Sequence, residues 1–404
     1  MKKIILLFLV VSLLGCSSDD SENGNSSGPA NLVVNVGPFE MEGVTISWTL
    51  SGGGGDVLYR IVLNDIVLEE AYAGTSYTFE APENRKVHTG VVYAISESGD
   101  DTFAEFRFNT HESEIWYGDL SIQGQYLLDN INPNLKLVTG RLYISGGAQD
   151  LSNLSSLEGI QELRISSDII TNLDGLQSLS FFLTETGLGE IYINLPNLTD
   201  ASGLSNISSK VSILTLINAD LLQDLSGFGV ADGGMLKLRY SEVSSLNGFS
   251  NATRMRNLSI IDCDNLTSLE GLNLFDEMGL VKLHYNDNLT SLEGLNQVTN
   301  IGELWIQYLP SITDLQGLDN FSVMGDTFRV EDCDQLQSLD GTALMSSTVI
   351  DPFIRVYGNQ SLTDFCGLTN LFTNLDPNEV SLNIFNNAYN PNYSMIVSPT
   401  ECSQ

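Results

Sequence analysis

Positive charge is scarce in this sequence: 17 Lys and Arg stand against 51 Asp and Glu in 404 residues, a formal net charge of −34. Such a field repels nucleic-acid phosphates and anionic lipid surfaces, which speaks against a DNA- or RNA-binding role. Histidine is nearly as rare, with only His88, His111 and His284. No H-E-x-x-H, G-x-S-x-G or phosphate-cradling glycine motif is present. Carboxylate pairs are inevitable among so many acids, so none singles out a glycosidase site. The five cysteines contain no C-x-x-C, which removes zinc-knuckle and thioredoxin-type readings. The expectation is a protein without enzyme activity, metal or cofactor. With 42% hydrophobic and 17% charged residues the chain is nevertheless globular, not an acidic disordered tail.

What is present begins with a leader. Met1-Lys-Lys supplies positive charge, and Ile4–Leu14 is an apolar run of 11 residues followed by Gly15-Cys16. The run is too short to span a bilayer and fits the core of a secretory signal. LLGC resembles the lipobox of bacterial lipoproteins, which implies a signal peptide over 1–16 and lipid on Cys16; plain secretion is the alternative. Residues 17–31 are polar and rich in Gly and Ser, as a flexible tether requires. Asp19, Asp20 and Glu22 resemble the signal that sends Bacteroidota lipoproteins to the outer face of the outer membrane. The other reading of these acids is a solvated linker. Membrane contact is expected only through the lipid.

Residues 32–112 alternate apolar and polar with period two, in the runs VTISWTL, VLYRIVL, TSYTFEA, HTGVVYAISESG and FAEFRFNT. Short strands at this spacing predict a β-sandwich. The Trp48 run and VVYAISESG resemble a fibronectin type III-like domain, which implies a spacer or, secondarily, a ligand-binding module.

From 113 to 390 the pattern changes to L-x-I, a short turn, then L-x-x-L-x-G-L. The glycine recurs at Gly159, Gly175, Gly203, Gly227, Gly248, Gly271, Gly294, Gly317, Gly341 and Gly367, with a modal spacing of 23. The nonapeptide NLTSLEGLN occurs unchanged at 265–273 and 288–296. That period belongs to leucine-rich solenoids. One coil cannot bury its own leucines, so coils must stack and their strands form a parallel sheet. The fold class read from these patterns is mainly β: an N-terminal sandwich, then a right-handed leucine-rich β-solenoid, with 391–404 as a C-terminal tail. Phe181–Gly189 and Ala343–Pro352 break the period and are expected to be longer loops.

Beyond each strand lies a ladder position, occupied by Ala219, Ser241, Cys263, Asn286, Leu309, Cys333, Asn359 and Asn387. Cys263 and Cys333 share this column three coils apart, roughly 14 Å at a ~4.8 Å strand spacing. A disulfide tolerates about 7 Å between Cα atoms. These two are therefore expected as separate buried thiols, and Cys366 and Cys402 as the pair that pins the tail.

The stretch Gly118–Ser145 and the unit LEGLNQVTNIGELWI (Leu292–Ile306) resemble receptor L-domain-like leucine-rich proteins. The resemblance implies a solenoid that exposes one long sheet face for binding, with no indication of the ligand.

The outward residue of each L-x-I forms a column: Ser121, Tyr143, Arg164, Tyr192, Thr215, Lys237, Ser259, Lys282, Trp305, Arg329, Arg355 and Asn383. Five of the twelve are basic and none is acidic, although only 11 Lys and Arg occur from Ser113 onward. The candidate ligand-binding residues are Tyr143, Arg164, Tyr192, Lys237, Lys282, Trp305, Arg329 and Arg355, widened by Arg239, His284 and Tyr357. Cations beside flat aromatic faces suit an extracellular acidic glycan or acidic protein segment. The competing reading has long basic stems covering the sheet and pairing with Glu162, Glu190, Glu303 and Glu331. At the level of function, an adhesion or binding scaffold at the cell surface is expected, with a structural envelope spacer as the alternative and an unrecognised hydrolase as the remote third. DCDN (262–265), DCDQ (332–335) and YNDN (285–288) read as turn formers in preference to calcium ligands.

Overall fold

The computed structural model describes residues 31–52, 56–96, 102–222, 225–249, 254–272, 274–347, 349, 352–376 and 381–404. Cys16, the signal run and nearly all of the tether lie outside the described residues. Two compact units divide the chain between Ser113 and Glu114.

The first unit is mainly β and sandwich-like. Asn31–Glu40, Gly43–Ser51 and Ser76–Glu80 form one antiparallel sheet. Ile66–Tyr72, Val57–Leu63, Val87–Ser96 and Thr102–Asn109 form the other. Val44, Ile46 and Trp48 alternate inward and are at most 2% exposed. The period-two pattern thus does what it predicts. His88 is a core residue: it stacks on Phe108, Nε2 donates to the Glu83 carbonyl at 2.9 Å, and Nδ1 accepts from the Asn64 amide at 3.0 Å. Two strands have no counterpart in the alternating runs. Asn31–Glu40 begins inside the expected tether, and Ile66–Tyr72 is an edge strand with no residue fully buried, so its pattern carries no alternation.

The second unit is a parallel β-solenoid. Twelve strands, from Leu120–Gln123 to Ser381–Phe385, pair in chain order in one sheet. In each strand but the last the two residues flanking the outward one are buried, as Val281 and Leu283 show at 0% exposure; beside Asn383, Leu382 and Ile384 are half-buried. A second, four-stranded sheet closes only the first coils, through Ile115–Trp116, Leu137–Val138, Gly159–Ile160 and Phe181–Phe182. This corrects two expectations. Phe181–Gly189 opens as a strand, not a loop, and Gly159 belongs to this sheet, where the Phe181 ring leaves no space for a Cβ. Gly159 therefore differs from the return glycines, which explains its short spacing of 16 to Gly175. Ala343–Pro352 also contains a short strand, Ser346–Ser347, on Val323–Glu331.

Stacking explains the repeated nonapeptide. Thr290 N–H donates to the Thr267 carbonyl at 3.1 Å, and Leu269 N–H to the Glu293 carbonyl at 2.9 Å. The two copies thus bond directly to one another. Leu266, Leu269, Leu289, Leu292 and Leu295 are at most 1% exposed, each burial contributing about 1.5–3 kcal/mol.

The ladder column is buried throughout. Asn286 Oδ1 accepts from Cys263 N–H at 3.0 Å, while its amide donates to the Ile260 carbonyl at 3.1 Å. Asn359 repeats this on Cys333 N–H and the Val330 carbonyl. The side chain of one coil thereby satisfies the turn of the coil before it. Asp264 Oδ1 likewise accepts from Asp287 N–H at 3.1 Å, a structural use of the DCDN acid.

Cys366 and Cys402 are bonded, with Cα atoms 5.0 Å apart. The tail is part of the second unit: Phe365 N–H donates to the Cys402 carbonyl at 2.9 Å, and Tyr389 Oη to the Glu401 carbonyl at 2.6 Å. Cys263 and Cys333 are free and buried, and burial pushes both thiols up to about 12. Since the thiolate is the reactive form, alkylation of the native protein at pH 8 should leave both unmodified. Peptide mass mapping should show label there only after denaturation, and one linked peptide pair at Cys366–Cys402. Rapid native labelling of either thiol would mean that the coils open far more readily than this packing allows.

Candidate binding face

Parallel pairing places the twelve predicted outward residues in one unbroken register. Tyr143 faces Ser121 and Arg164; Arg164 faces Tyr192; Tyr192 faces Thr215. Thr215 leads to Lys237, Ser259, Lys282, Trp305, Arg329, Arg355 and Asn383 without a slip. This follows from period-two side-chain direction: with flanking leucines and isoleucines buried, the central residue must face out.

The candidates gather into two clusters with Lys237 between them. In the C-terminal cluster, Trp305 lies between Lys282 and Arg329, at 4.9 and 4.4 Å from its ring centroid. Arg329 also covers Phe353 at 4.7 Å, and Arg355 approaches Tyr357 at 5.2 Å. In the N-terminal cluster, Arg164 stands 5.7 Å from the Tyr192 ring, and Arg141 donates to Tyr143 Oη at 3.1 Å.

The two readings of the basic column divide it between them. Glu162 holds Arg164 and lies 3.2 Å from Arg141. Glu331, only 9% exposed in its side chain, lies 3.2 Å from Arg355 and 3.8 Å from Arg329, and accepts from Gln307 at 2.8 Å. The Arg355 approach is close but not aligned as a hydrogen bond. Lys237, Lys282 and Arg239, by contrast, have no carboxylate within 4.0 Å among the described residues. Glu190 and Glu303 form no ion pair among them either. So Arg164, Arg329 and Arg355 are partly neutralised, and the lysines are not.

Four donors on this face are buried without an aligned acceptor among the described residues: Arg239 Nε, Arg329 Nε, Arg355 Nε and Trp305 Nε1. Orphan buried donors are uncommon in native proteins. Around Tyr192, Thr215, Lys237 and Arg239 the face also dips into a depression of about 240 Å³, because Thr215 is short between longer neighbours.

Sequence reasoning did not anticipate a tyrosine rim. Tyr240, Tyr285 and Tyr308 immediately precede ladder positions and have φ of 49°, 54° and 53°. Equivalent positions elsewhere hold Asn218, Asp262, Asp332 and Asn386, the types that tolerate this left-handed conformation. The rings of Tyr285 and Tyr308 stack with centroids 4.4 Å apart, and His284 stacks on Tyr285 at 4.3 Å. Burial, then Lys282, holds the His284 imidazole below its ordinary value. The signal in the sequence was tyrosine recurring one residue before the ladder column.

Among the described residues, no group of three or more His, Cys, Asp or Glu is gathered to hold a metal ion. No described helix is long and apolar enough to cross a membrane. No protein-family model, curated protein or solved structure matches the chain.

Proposed function

We propose that this protein is a non-catalytic binding scaffold that holds an extracellular ligand on the exposed face of its solenoid sheet. On this reading Cys16 carries a lipid anchor in the outer membrane, residues 17–31 are the tether, and the sandwich is a spacer of fibronectin type III-like kind. The solenoid is read as resembling receptor L-domain-like leucine-rich proteins, a reading that its repeat and its parallel sheet support. The observation that carries the proposal is the register of Lys282, Trp305 and Arg329 on adjacent strands. A protein with 51 acids and 17 cations sets three cation and aromatic groups in contact there, with one cation unpaired and two donors orphaned.

The test is replacement of Lys282, Trp305 and Arg329 together by alanine, with retention on glycan and matrix-protein arrays compared with the unaltered chain. Retention should fall at least about tenfold, the loss expected from roughly 1.4 kcal/mol of binding free energy. The three side chains lie outside the leucine core, so the unfolding midpoint should move by only a few degrees. A ligand held equally by both proteins would remove this face from consideration.

A further inference from the structure

The two ends of the solenoid sheet are finished differently. At the first strand, Leu120–Gln123, the inward residues Leu120 and Ile122 are 3% and 0% exposed. The helix Gln125–Asp129 packs against that strand and brings Leu128 into the same core. At the last strand, Ser381–Phe385, the inward Leu382 and Ile384 stay half-buried, and Phe385 is 41% exposed. One side of this strand pairs with Phe353–Tyr357, and no described strand takes the other.

Register identifies the backbone groups left over. Gly358 N–H donates to the Phe385 carbonyl at 3.3 Å, so Phe385 turns its polar groups back along the stack. Successive residues of a strand alternate in this direction. Asn383 therefore points the same way as Phe385, whereas Leu382 and Ile384 aim N–H and C=O away from the solenoid. Those four groups have no partner among the described residues.

Natural sheets guard such an edge with charge, proline or a bulge. This strand has none of them: SLNIF is uncharged and meets its neighbour without a slip. From Val380 to Thr400 no residue is charged, the longest such run in a chain of net charge −34. Two copies of so acidic a chain repel one another over most of their surface, but the edge strand adds nothing to that repulsion.

The strand is also its own complement. We propose that the chain self-associates through this edge, Ser381–Phe385 of one copy pairing antiparallel with Ser381–Phe385 of another about a twofold axis at Asn383. Leu382 of one copy then lies opposite Ile384 of the other. Each such pair exchanges two backbone hydrogen bonds, which uses all four free groups of both copies. Parallel pairing about a twofold would turn the apolar sides of the two sheets in opposite directions. Antiparallel pairing keeps both on the core side, where the half-buried Leu382 and Ile384 gain neighbours. An unrelated strand could fill the backbone groups, but a second copy also matches these two apolar residues one for one. The outward columns continue from copy to copy on one face, whatever that face binds.

Sedimentation velocity of the full chain across a concentration series tests this. The 44.1 kDa monomer should pass reversibly into a dimer, with a Kd on the order of 10 μM for so small a junction. Ile384→Pro removes an outward N–H that makes no bond within the fold, and should leave a monomer. Asn383→Lys and Asn383→Asp each set like charges face to face at the axis, and each should weaken the dimer at least about tenfold. An equimolar mixture of those two variants should recover the affinity of the unaltered chain to within about threefold, because opposite charges then meet.

The mixture decides the matter even if Ile384→Pro disturbs the last coil, since Asn383 faces outward and its replacement spares the core. A monomer at every concentration, association indifferent to the Asn383 variants, or no recovery in the mixture would overturn the proposal. Growth beyond the dimer would overturn the twofold pairing, in favour of a head-to-tail stack on the Leu120–Gln123 edge.

Discussion

Gly294→Ala should destabilise the solenoid by about 3–5 kcal/mol, the sum of backbone strain and overpacking that cannot relax. Gly294 has φ +112°, outside the range an L side chain adopts readily. A Cβ there would also sit 2.2 Å from the Leu269 carbonyl oxygen and 2.4 Å from its carbon. Those atoms are the backbone of the preceding coil, in the other copy of the duplicated nonapeptide. They can retreat only if the coils separate, and Leu269, Leu292 and Leu295 then lose packing. Gly187 is the control, with φ +68° and nothing within 4 Å of an added Cβ. Gly187→Ala should cost only the local strain, about 1–2 kcal/mol. Urea unfolding of both variants measures the difference. Equal losses would show that glycine recurs for its φ alone, and that close approach between coils carries no weight.

Asn359→Ala should cost about 2–5 kcal/mol, since it strips partners from two buried backbone groups at once. Asn359 is 0% exposed; its Oδ1 accepts from Cys333 N–H at 2.9 Å and its amide donates to the Val330 carbonyl at 3.1 Å. It also donates to Asn387 Oδ1 at 2.9 Å, and Asn387 in turn donates to the Val356 carbonyl at 3.0 Å. Alanine fills none of these roles and leaves no route for water into the column. The exposed Asn288 donates to the Asp264 carbonyl at 2.7 Å, but solvent can replace it. Asn288→Ala should therefore lower stability by about 1 kcal/mol or less. Comparable effects of the two substitutions on the urea midpoint would refute a structural role for the ladder.

Both predictions depend on stacking, and stacking was legible in the sequence because a solenoid's contacts are nearly local. Residue i meets i+23 or so in the next coil, and each coil repeats the same environment. The leucines of 265–272 and 288–295 thus announce their own neighbours. The outward column was legible for the same reason: with both flanking residues buried, no freedom of direction remains. The ladder cysteines could be separated from register alone, which left Cys366 and the tail's Cys402 as the pair.

Where the period failed, the reading failed with it. Ile66–Tyr72 sits at a sheet edge, and Asn31–Glu40 carries little alternation, so neither announces burial. Gly159 shares a letter with the return glycines but lies in the second sheet, because position in a coil, not residue type, decides its role. Tyr285 read only as part of a turn-forming YNDN, and Tyr240 and Tyr308 carried no signal, because a positive φ at tyrosine is set by the turn after each strand.

The amino-acid order by itself determined the stack, its register and the line on which twelve side chains emerge, because these follow from alternation and repeat. Only the tertiary structure decided which cations remain free. Arg164, Arg329, Arg355, Lys237 and Lys282 look equivalent in the column. Yet Glu162 and Glu331 reach three of them and Glu303 reaches none within salt-bridge distance. Long side chains choose partners by rotamer and by the neighbour one strand away, and a difference of an ångström or two separates an ion pair from an open charge.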